Sequence, residues 1–463
     1  MIFDDIKGMD ESMRHIRLFF AIAIAKMTRF AGKILKRGSS LPGLLALRIY
    51  PGIMHDLQID CPVIAITGAN GKSSTTKLIA DILTANGYRV AANLEGSNMR
   101  PGILTGILEK SKLSGKVDAD FVLMEVDEFS SPKIYSAIKP DYLLVTNVLR
   151  DHVERQSDAS NVIAKIEQEL DERTTLFLNA DDPLVNSILY NKPNKRLYYG
   201  INDEKYGHGA PSTPLAAKFC LQCGAKLDYS VYYFEHMGKY VCPNCDFHRH
   251  EPDYAIEYLD LETGQMVMNN EVYHVNYDAF YMFYNILAAV SVCRELGLSY
   301  EQVQSVTDTF VFGNARLQEF YLYERKGVMN FLKNATSLSA TIDLMKQDKE
   351  EKSILFVMDN TYDRRYLITQ WYWDSKVEEL VADPNIDKIV CTWYRAYDMA
   401  IRLKAAGFPA DKIIVERDLE KAVSIFREDT RGNAYVGYDT DSYSIGKVVE
   451  ALAKYPENTH LRK

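Results

Sequence analysis

Residues 63–83, VIAITGANGKSSTTKLIADIL, restrict the fold of this chain more than any other stretch. Val63, Ile64 and Ile66 are apolar and β-branched, as a strand buried on both faces requires. Residues 67–72 hold two glycines and predict a tight loop. Across 73–83 the side chains of Leu78, Ile79, Ile82 and Leu83 fall on one face of a helix. A strand, a glycine loop and a helix N-terminus together form an anion site, because the first N–H groups of the helix have no partner within it. Lys72 is placed to reach terminal phosphates and Ser73 to ligate magnesium. In the common phosphate loop four residues separate the first glycine from the Gly-Lys pair; here Ile66 occupies that first position and Gly68 comes later.

The strand-then-helix rhythm continues to about residue 200. DFVLMEVDEFS predicts a second buried strand ending in Glu125, Asp127 and Glu128. DYLLVTNVLRDH predicts a third, delivering Asn147, Asp151 and His152, and TTLFLNADDPLV a fourth, delivering Asn179, Asp181 and Asp182. Ligands of an open parallel sheet collect at the carboxyl ends of its strands. Any one of these clusters also suits a helix cap or a turn, but four strand exits carrying such residues predict one cleft. The expected class is therefore α/β, with a mainly parallel sheet covered by helices on both sides.

With 463 residues, 47% of them hydrophobic, the chain can bury two or three cores, and its net charge of −9 argues against a general nucleic-acid binder. The apolar run LFFAIAIA, residues 18–25, is bounded by Arg17 and Lys26 and is shorter than the roughly 20 residues of a spanning helix. Mixed charges precede it and no small-residue cleavage site follows, which argues against a signal peptide. Lys26, Arg29, Lys33, Lys36 and Arg37 interleave with Met27, Phe30, Ile34 and Leu35. Such a helix either packs on its own domain or lies against a membrane surface.

Four of the seven cysteines are patterned. Cys220 and Cys223, then Cys242 and Cys245, form two CxxC pairs separated by residues 224–241, the spacing of a four-cysteine zinc ribbon. The intervening DYSVYYFEHMGKYV alternates like a hairpin. Disulfide pairing is the alternative, opposed by the absence of evident partners for Cys61, Cys293 and Cys391. Four thiolates would close the metal's coordination sphere, so such a zinc is structural.

TGANGKSSTT, EVDE, TNVLRDH, LNADDP and YNILAA follow one another in the order found in the central ATPase domain of Mur ligases, and the chain resembles that family. The ribbon after LNADDP, the stretch SSLPGLLALRI and the later YRAYDMAIRLKAAG are similar to its MurT branch, the ligase-like subunits of lipid II isoglutaminyl synthase. The resemblance implies ATP, Mg2+ and Zn2+ as cofactors. It implies that Asn70, Gly71, Lys72, Ser73 and Ser74 hold the triphosphate, with Asn147 also in the ATP site. Ser73, Glu125 and His152 would serve magnesium. Asn179, Asp182 and Asn285 would lie toward the base, and Arg316 would be directed at ATP from the C-terminal domain.

Several positions depart from the MurT pattern. DNTYDRRYLITQWYWD keeps Asp359, Asn360, Asp363, Trp371, Trp373 and Asp374, but Arg364 replaces a glycine and Tyr366 an aspartate; Asn314 replaces an arginine. Lys165 has the wrong spacing for the modified lysine of amino-acid-adding ligases. None of Cys61, Cys293 and Cys391 sits in a nucleophile elbow; all three look like strand or helix interior. Ammonia must then come from elsewhere, and the resemblance implies a GatD-like glutaminase subunit as partner. An aspartate of the C-terminal domain would complete that partner's site: Asp363, or Asp359.

The expected architecture is a helical lead-in over 1–55, an ATPase domain over 56–312 interrupted by the ribbon at 218–250, and a smaller α/β domain over 313–463. In the last, KSILFVMD, KIVCTW, KIIVE and NAYVGY read as strands. The function the resemblance implies is ATP-dependent amidation of the α-carboxyl of D-glutamate in a lipid-linked peptidoglycan precursor, through an acyl phosphate. The setting would be the bacterial cytoplasm at the inner face of the membrane. A Mur-type amino-acid ligase and a nucleotide-binding scaffold without turnover are the alternatives.

Overall fold

The computed structural model describes residues 10–35, 40–149, 158–209, 216–277, 279–310, 318–332, 334–359, 370–439 and 448. The chain divides into two compact units at residues 310 and 311, where the sequence expectation set the boundary at 312 and 313.

The first unit is built on strands β1 (Val63–Thr67), β2 (Val90–Ala92), β3 (Phe121–Glu125), β4 (Tyr142–Val145), β5 (Thr175–Asn179) and β6 (Arg196–Ile201). A separate hairpin, β7 (Asp228–Phe234) and β8 (Met237–Val241), interrupts the run. Strands β9 (Tyr254–Asp260), β10 (Gln265–Met268) and β11 (Glu271–His274) complete it. The main sheet has the order β11-β10-β9-β6-β5-β4-β1-β3-β2. From β2 to β9 all neighbours are parallel, while β10 and β11 extend the edge antiparallel. VIAIT and FVLME are buried at every position, the continuous apolar run that a sheet covered on both faces demands. Each Ile or Leu so buried contributes about 1.5–3 kcal/mol by removal from water.

The helix expected over 73–83 spans Lys72–Ala85, one residue earlier because Gly71 takes a left-handed φ of 86° and starts it. The lead-in joins the core of the first unit. Leu18, Ala21, Ile22 and Ala25 of helix Glu11–Leu35 pack in the same cluster as Ala46, Tyr50, Val63 and Ala65. Cys61, expected inside a strand or helix, lies in a bend just before β1. Cys293 lies within helix Phe280–Glu295 and Cys391 within a strand of the second unit.

That second unit contains strands β12 (Gln318–Leu322), β13 (Arg325–Phe331), β14 (Lys352–Val357), β15 (Ile386–Thr392), β16 (Ile413–Glu416) and β17 (Asn433–Tyr438). They form one sheet in the order β12-β13-β17-β14-β15-β16, parallel except for the β12–β13 edge pair. Its two faces carry separate apolar clusters, one around Phe356, Ile389 and Leu403 and the other around Leu355, Val390 and Phe426. The alternation along β14 of Ile354 and Phe356 against Leu355 and Val357 reflects the two-residue side-chain period of a strand.

Candidate active site and metal centre

The glycine loop leaves β1 and turns into helix Lys72–Ala85 through Gly68 and Gly71, both at positive φ. A Cβ on Gly68 would overlap Thr146 Oγ1, and one on Gly71 would overlap Asn285 Oδ1, so close approach as well as backbone conformation demands glycine. The exit of β4 braces the loop. Asn70 N donates to Asn147 Oδ1 at 2.9 Å, Asn147 Nδ2 donates to Asn70 O at 3.0 Å, and Thr146 Oγ1 donates to the same carbonyl at 2.7 Å.

At the mouth of the loop Ser73 Oγ donates to Glu125 Oε1 at 2.8 Å. Lys72 Nζ bonds Glu128 Oε1 at 2.9 Å, Ala69 O at 3.3 Å and also Gly68 O. Ser74 is buried beside them. Glu125 is itself fixed by Asn93, whose Oδ1 accepts from Glu125 N and whose Nδ2 donates to Glu125 O, each at 2.9 Å. Glu128 Oε2 is buried without a hydrogen-bond partner among the described residues. The site thus combines a helix N-terminus, an ammonium, a hydroxyl and two carboxylates, the groups that bind polyphosphate and a divalent cation. Asn93 and the Lys72–Glu128 pair carried no signal that periodicity or motif spacing could expose, since both join loops distant in sequence.

The other residues expected at the nucleotide lie as follows. Asn285, expected toward the base, abuts Gly71 of the phosphate loop. Asn179 and Asp182 are fully buried. Asn179 Oδ1 accepts from Asp181 N, and Asp182 caps helix Pro183–Asn186 through Leu184 N and Val185 N while its Oδ2 accepts from Val148 N. His152, Arg316 and Asp363 lie outside the described residues. Asp359 follows β14, and its N–H donates to Asp439 Oδ1 at 2.6 Å. Asp439, which no sequence motif marks, also accepts from Tyr372 OH at 3.0 Å. Burial pushes its carboxyl up to about 8.

In the metal centre the four sulfurs of Cys220, Cys223, Cys242 and Cys245 all lie within 4.8 Å of one another, with Cys220–Cys245 at 3.7 Å and Cys223–Cys242 at 3.4 Å. Tetrahedral zinc with Zn–S near 2.3 Å requires S···S edges of about 3.8 Å, so the donor set fits that ion. Each knuckle aims a backbone N–H at a sulfur, Gln222 N at Cys220 and Asn244 N at Cys242. Backbone donation from Ala225, with Asn244 and Cys242 adding, draws the Cys223 thiol down to about 6, favouring the thiolate a metal needs. No two of these sulfurs are bonded, the nearest pairs standing well beyond the roughly 2 Å of a disulfide.

The hairpin between the two knuckles reaches the turn after β5. His236 Nε2, at its tip, lies 3.0 Å from Asp182 Oδ1, both side chains fully buried. Gly238 N donates to Asp181 O at 2.8 Å, and Asn186 Nδ2 bonds Tyr240 OH at 2.6 Å. Beyond the ribbon, Arg249 Nε bonds Asp181 Oδ1 at 2.7 Å, while Ile201 N and Tyr284 OH donate to Asp181 Oδ2. Burial opposes protonation of His236, but the Asp182 charge and hydrogen bond outweigh it and the imidazole titrates above its ordinary value.

Comparison with known proteins gives these sites a family context. Residues 66–221 match the Mur ligase middle domain and residues 331–440 the MurT ligase C-terminal domain. The chain is 32% identical over 415 residues to the lipid II isoglutaminyl synthase (glutamine-hydrolyzing) subunit MurT of Staphylococcus aureus, covering 88% of this chain and 92% of that one. It is 28% identical over 430 residues to the Streptococcus pneumoniae subunit of the same name, covering 91% and 94%. Among solved structures, a pseudomurein peptide ligase type C from Methanothermus fervidus aligns with a TM-score of 0.67 at 18% identity, covering 86% of this chain and 79% of that one. This last likeness concerns the fold.

Proposed function

Because this chain belongs to the family of MurT subunits, Mur ligase-like proteins of lipid II isoglutaminyl synthase, we propose that it is the ATP-using subunit of an amidating synthase. It converts the α-carboxyl of D-glutamate in a lipid-linked peptidoglycan precursor to the amide. ATP supplies the phosphoryl group that turns a poor electrophile into an acyl phosphate, which ammonia then attacks. The observation that carries the reading is the juxtaposition of Lys72, Ser73, Glu125 and Glu128 at one helix N-terminus.

The residues then divide the work as follows. The N–H groups that open helix Lys72–Ala85 and the Lys72 ammonium receive the phosphates; Asn70 and Asn147 hold the loop in shape. Ser73 and Glu125 hold magnesium, with Glu128 beside them, and the Lys72 ammonium turns from its carbonyl partners to the charge that builds on the transferring group. The ribbon cysteines hold a structural zinc.

The cysteines support a separate source of ammonia. Four are gathered in the cluster; burial raises the thiols of Cys293 and Cys391, and burial also raises that of Cys61. None of these three has the exposed, easily ionised thiol of a glutaminase nucleophile. The resemblance to MurT subunits makes that source a GatD-like glutaminase partner, whose site Asp363, or alternatively Asp359, would complete.

The test is acceptor-dependent ADP release by the chain assembled with its glutaminase, on lipid-linked precursor, for wild type and Lys72→Ala. Release is expected to fall by about two to three orders of magnitude with the far-UV circular dichroism unchanged. Retained release would show that the loop is not the working site.

A further inference from the structure

The outward face of helix Glu11–Leu35 is as apolar as its inward face. Leu18, Ala21, Ile22 and Ala25 point into the core. On the opposite side Met13, Ile16, Phe20 and Met27 form a stripe about 21 Å long, and all four are exposed, Met27 by 63%. Phe19 and Phe30 widen it, and Phe30 is 71% exposed. A helix covering a soluble core ordinarily turns a polar face to water, and a contiguous apolar face of this size marks an interaction site.

Charge identifies the occupant. Within a chain of net charge −9, this helix carries Arg14, Arg17, Lys26, Arg29 and Lys33 against the single acid Glu11, and Asp56 pairs with Arg14 at 3.3 Å. Arg17 borders the stripe on one side and Lys26 on the other. Glu95 and Glu109 hold Arg29, and Glu109 O accepts from Lys26 Nζ at 3.2 Å. Between Lys26, Arg29 and Phe30 opens a cleft of about 260 Å³, walled by Ala25, Pro42 and Leu108. The cations also break up the apolar run, and no described helix is long and apolar enough to cross a membrane. An apolar face flanked by cations on a helix that does not span is the pattern of a segment lying in the plane of a bilayer.

We infer that helix Glu11–Leu35 docks the protein on a bilayer surface bearing anionic lipid, its outward stripe in the acyl boundary and its flanking cations among the headgroups. The choice of a membrane over a protein surface rests in part on the lipid-linked substrate proposed above.

The test is flotation of the full-length chain, alone and with its glutaminase, on vesicles of phosphatidylcholine with and without phosphatidylglycerol. Wild type should float with the phosphatidylglycerol vesicles, less so in high salt, and the double variant Phe20→Glu with Phe30→Glu should bind at least about tenfold more weakly. Both substitutions are at exposed positions, so circular dichroism and ADP release with a water-soluble acceptor should be unchanged, while amidation of precursor held in vesicles falls. Equal flotation of variant and wild type, or none by either, overturns the inference. So does a wild-type dimer that the substitutions dissociate, or flotation abolished by the glutaminase, since either gives the stripe to a protein. Flotation without amidation of any acceptor would instead refute the proposed reaction and leave the membrane contact standing.

Discussion

Replacing His236 by alanine removes one partner of the ion pair that locks the ribbon hairpin onto the turn after β5. Truncating one side of a fully buried pair costs about 3–5 kcal/mol, because the other charge is left in a medium that solvates it poorly. Here the expected loss is smaller, about 2–3 kcal/mol. Asp182 keeps the N–H groups of Leu184, Val185 and Val148, and His236 Nδ1 has no partner among the described residues, so the pair rests on Nε2 alone. The loss should depend on pH. The folded protein holds the His236 proton more tightly than an unfolded chain does, so the stabilisation is complete below the ordinary value of 6.5 and fades as pH rises through the higher folded value. The assay is urea unfolding of wild type and His236→Ala at about pH 6 and about pH 9. Far-UV circular dichroism should show a destabilised first unit, with the larger gap at the lower pH. The three tryptophans, Trp371, Trp373 and Trp393, all lie in the second unit, so their fluorescence follows that unit and should report no loss. An equal gap at both pH values would refute the ion pair, and no gap at either would refute the lock.

Two further outcomes are expected. Asp439 holds its proton up to about pH 8 in the fold against about 4 in a free chain, so the stability it contributes is complete below the free-chain value and is lost as pH rises through 8. The urea midpoint read by tryptophan fluorescence should fall between about pH 6 and about pH 9 in wild type and stay level in Asp439→Asn. Purified wild type should carry about one zinc per chain and Cys223→Ser should carry none, with the far-UV spectrum of the main sheet retained; metal analysis finding no zinc in reduced wild type would overturn the metal assignment.

What the sequence discloses follows from how far each feature reaches along the chain. The βα unit at 63–83 is local: apolar run, glycines and helical spacing all lie within one segment, and the structure reproduces it to within two residues. The ribbon is legible for the same reason, since each knuckle is set by four consecutive residues. Strands β10, β11, β12 and β13, at or next to a sheet edge, carry a weaker signal because partly exposed strands lack the continuous apolar run of β1 and β3. Contacts between loops are harder still. His236 and Asp182 are 54 residues apart, Glu128 and Lys72 56, and nothing in either segment announces the other. The motif around Asn285 points it to the nucleotide, and its close approach to Gly71, which the missing Cβ allows, becomes visible only when helix and loop are set side by side.

These long-range contacts join the cysteine cluster to the phosphate loop by hydrogen bonds alternating with short stretches of chain. The cysteine cluster closes the base of the β7–β8 hairpin, and the hairpin tip delivers His236, Gly238 and Tyr240 to Asp182, Asp181 and Asn186. Asp182 receives Val148 N, the residue next to Asn147, and Asn147 grips both backbone groups of Asn70. Each step is a short contact between buried or partly buried groups, so the turn after β5 is held from two sides, by the sheet and by the ribbon. A small hairpin with a core of five buried residues, two of them cysteines, has little apolar area to hold that shape unaided, and the zinc proposed for the cluster would supply the missing constraint. Loss of zinc should therefore be felt first at Asp182 and only then, weakened by each intervening bond, at Asn70. Nucleotide affinity in Cys223→Ser is the quantity that measures how much of the constraint survives the distance.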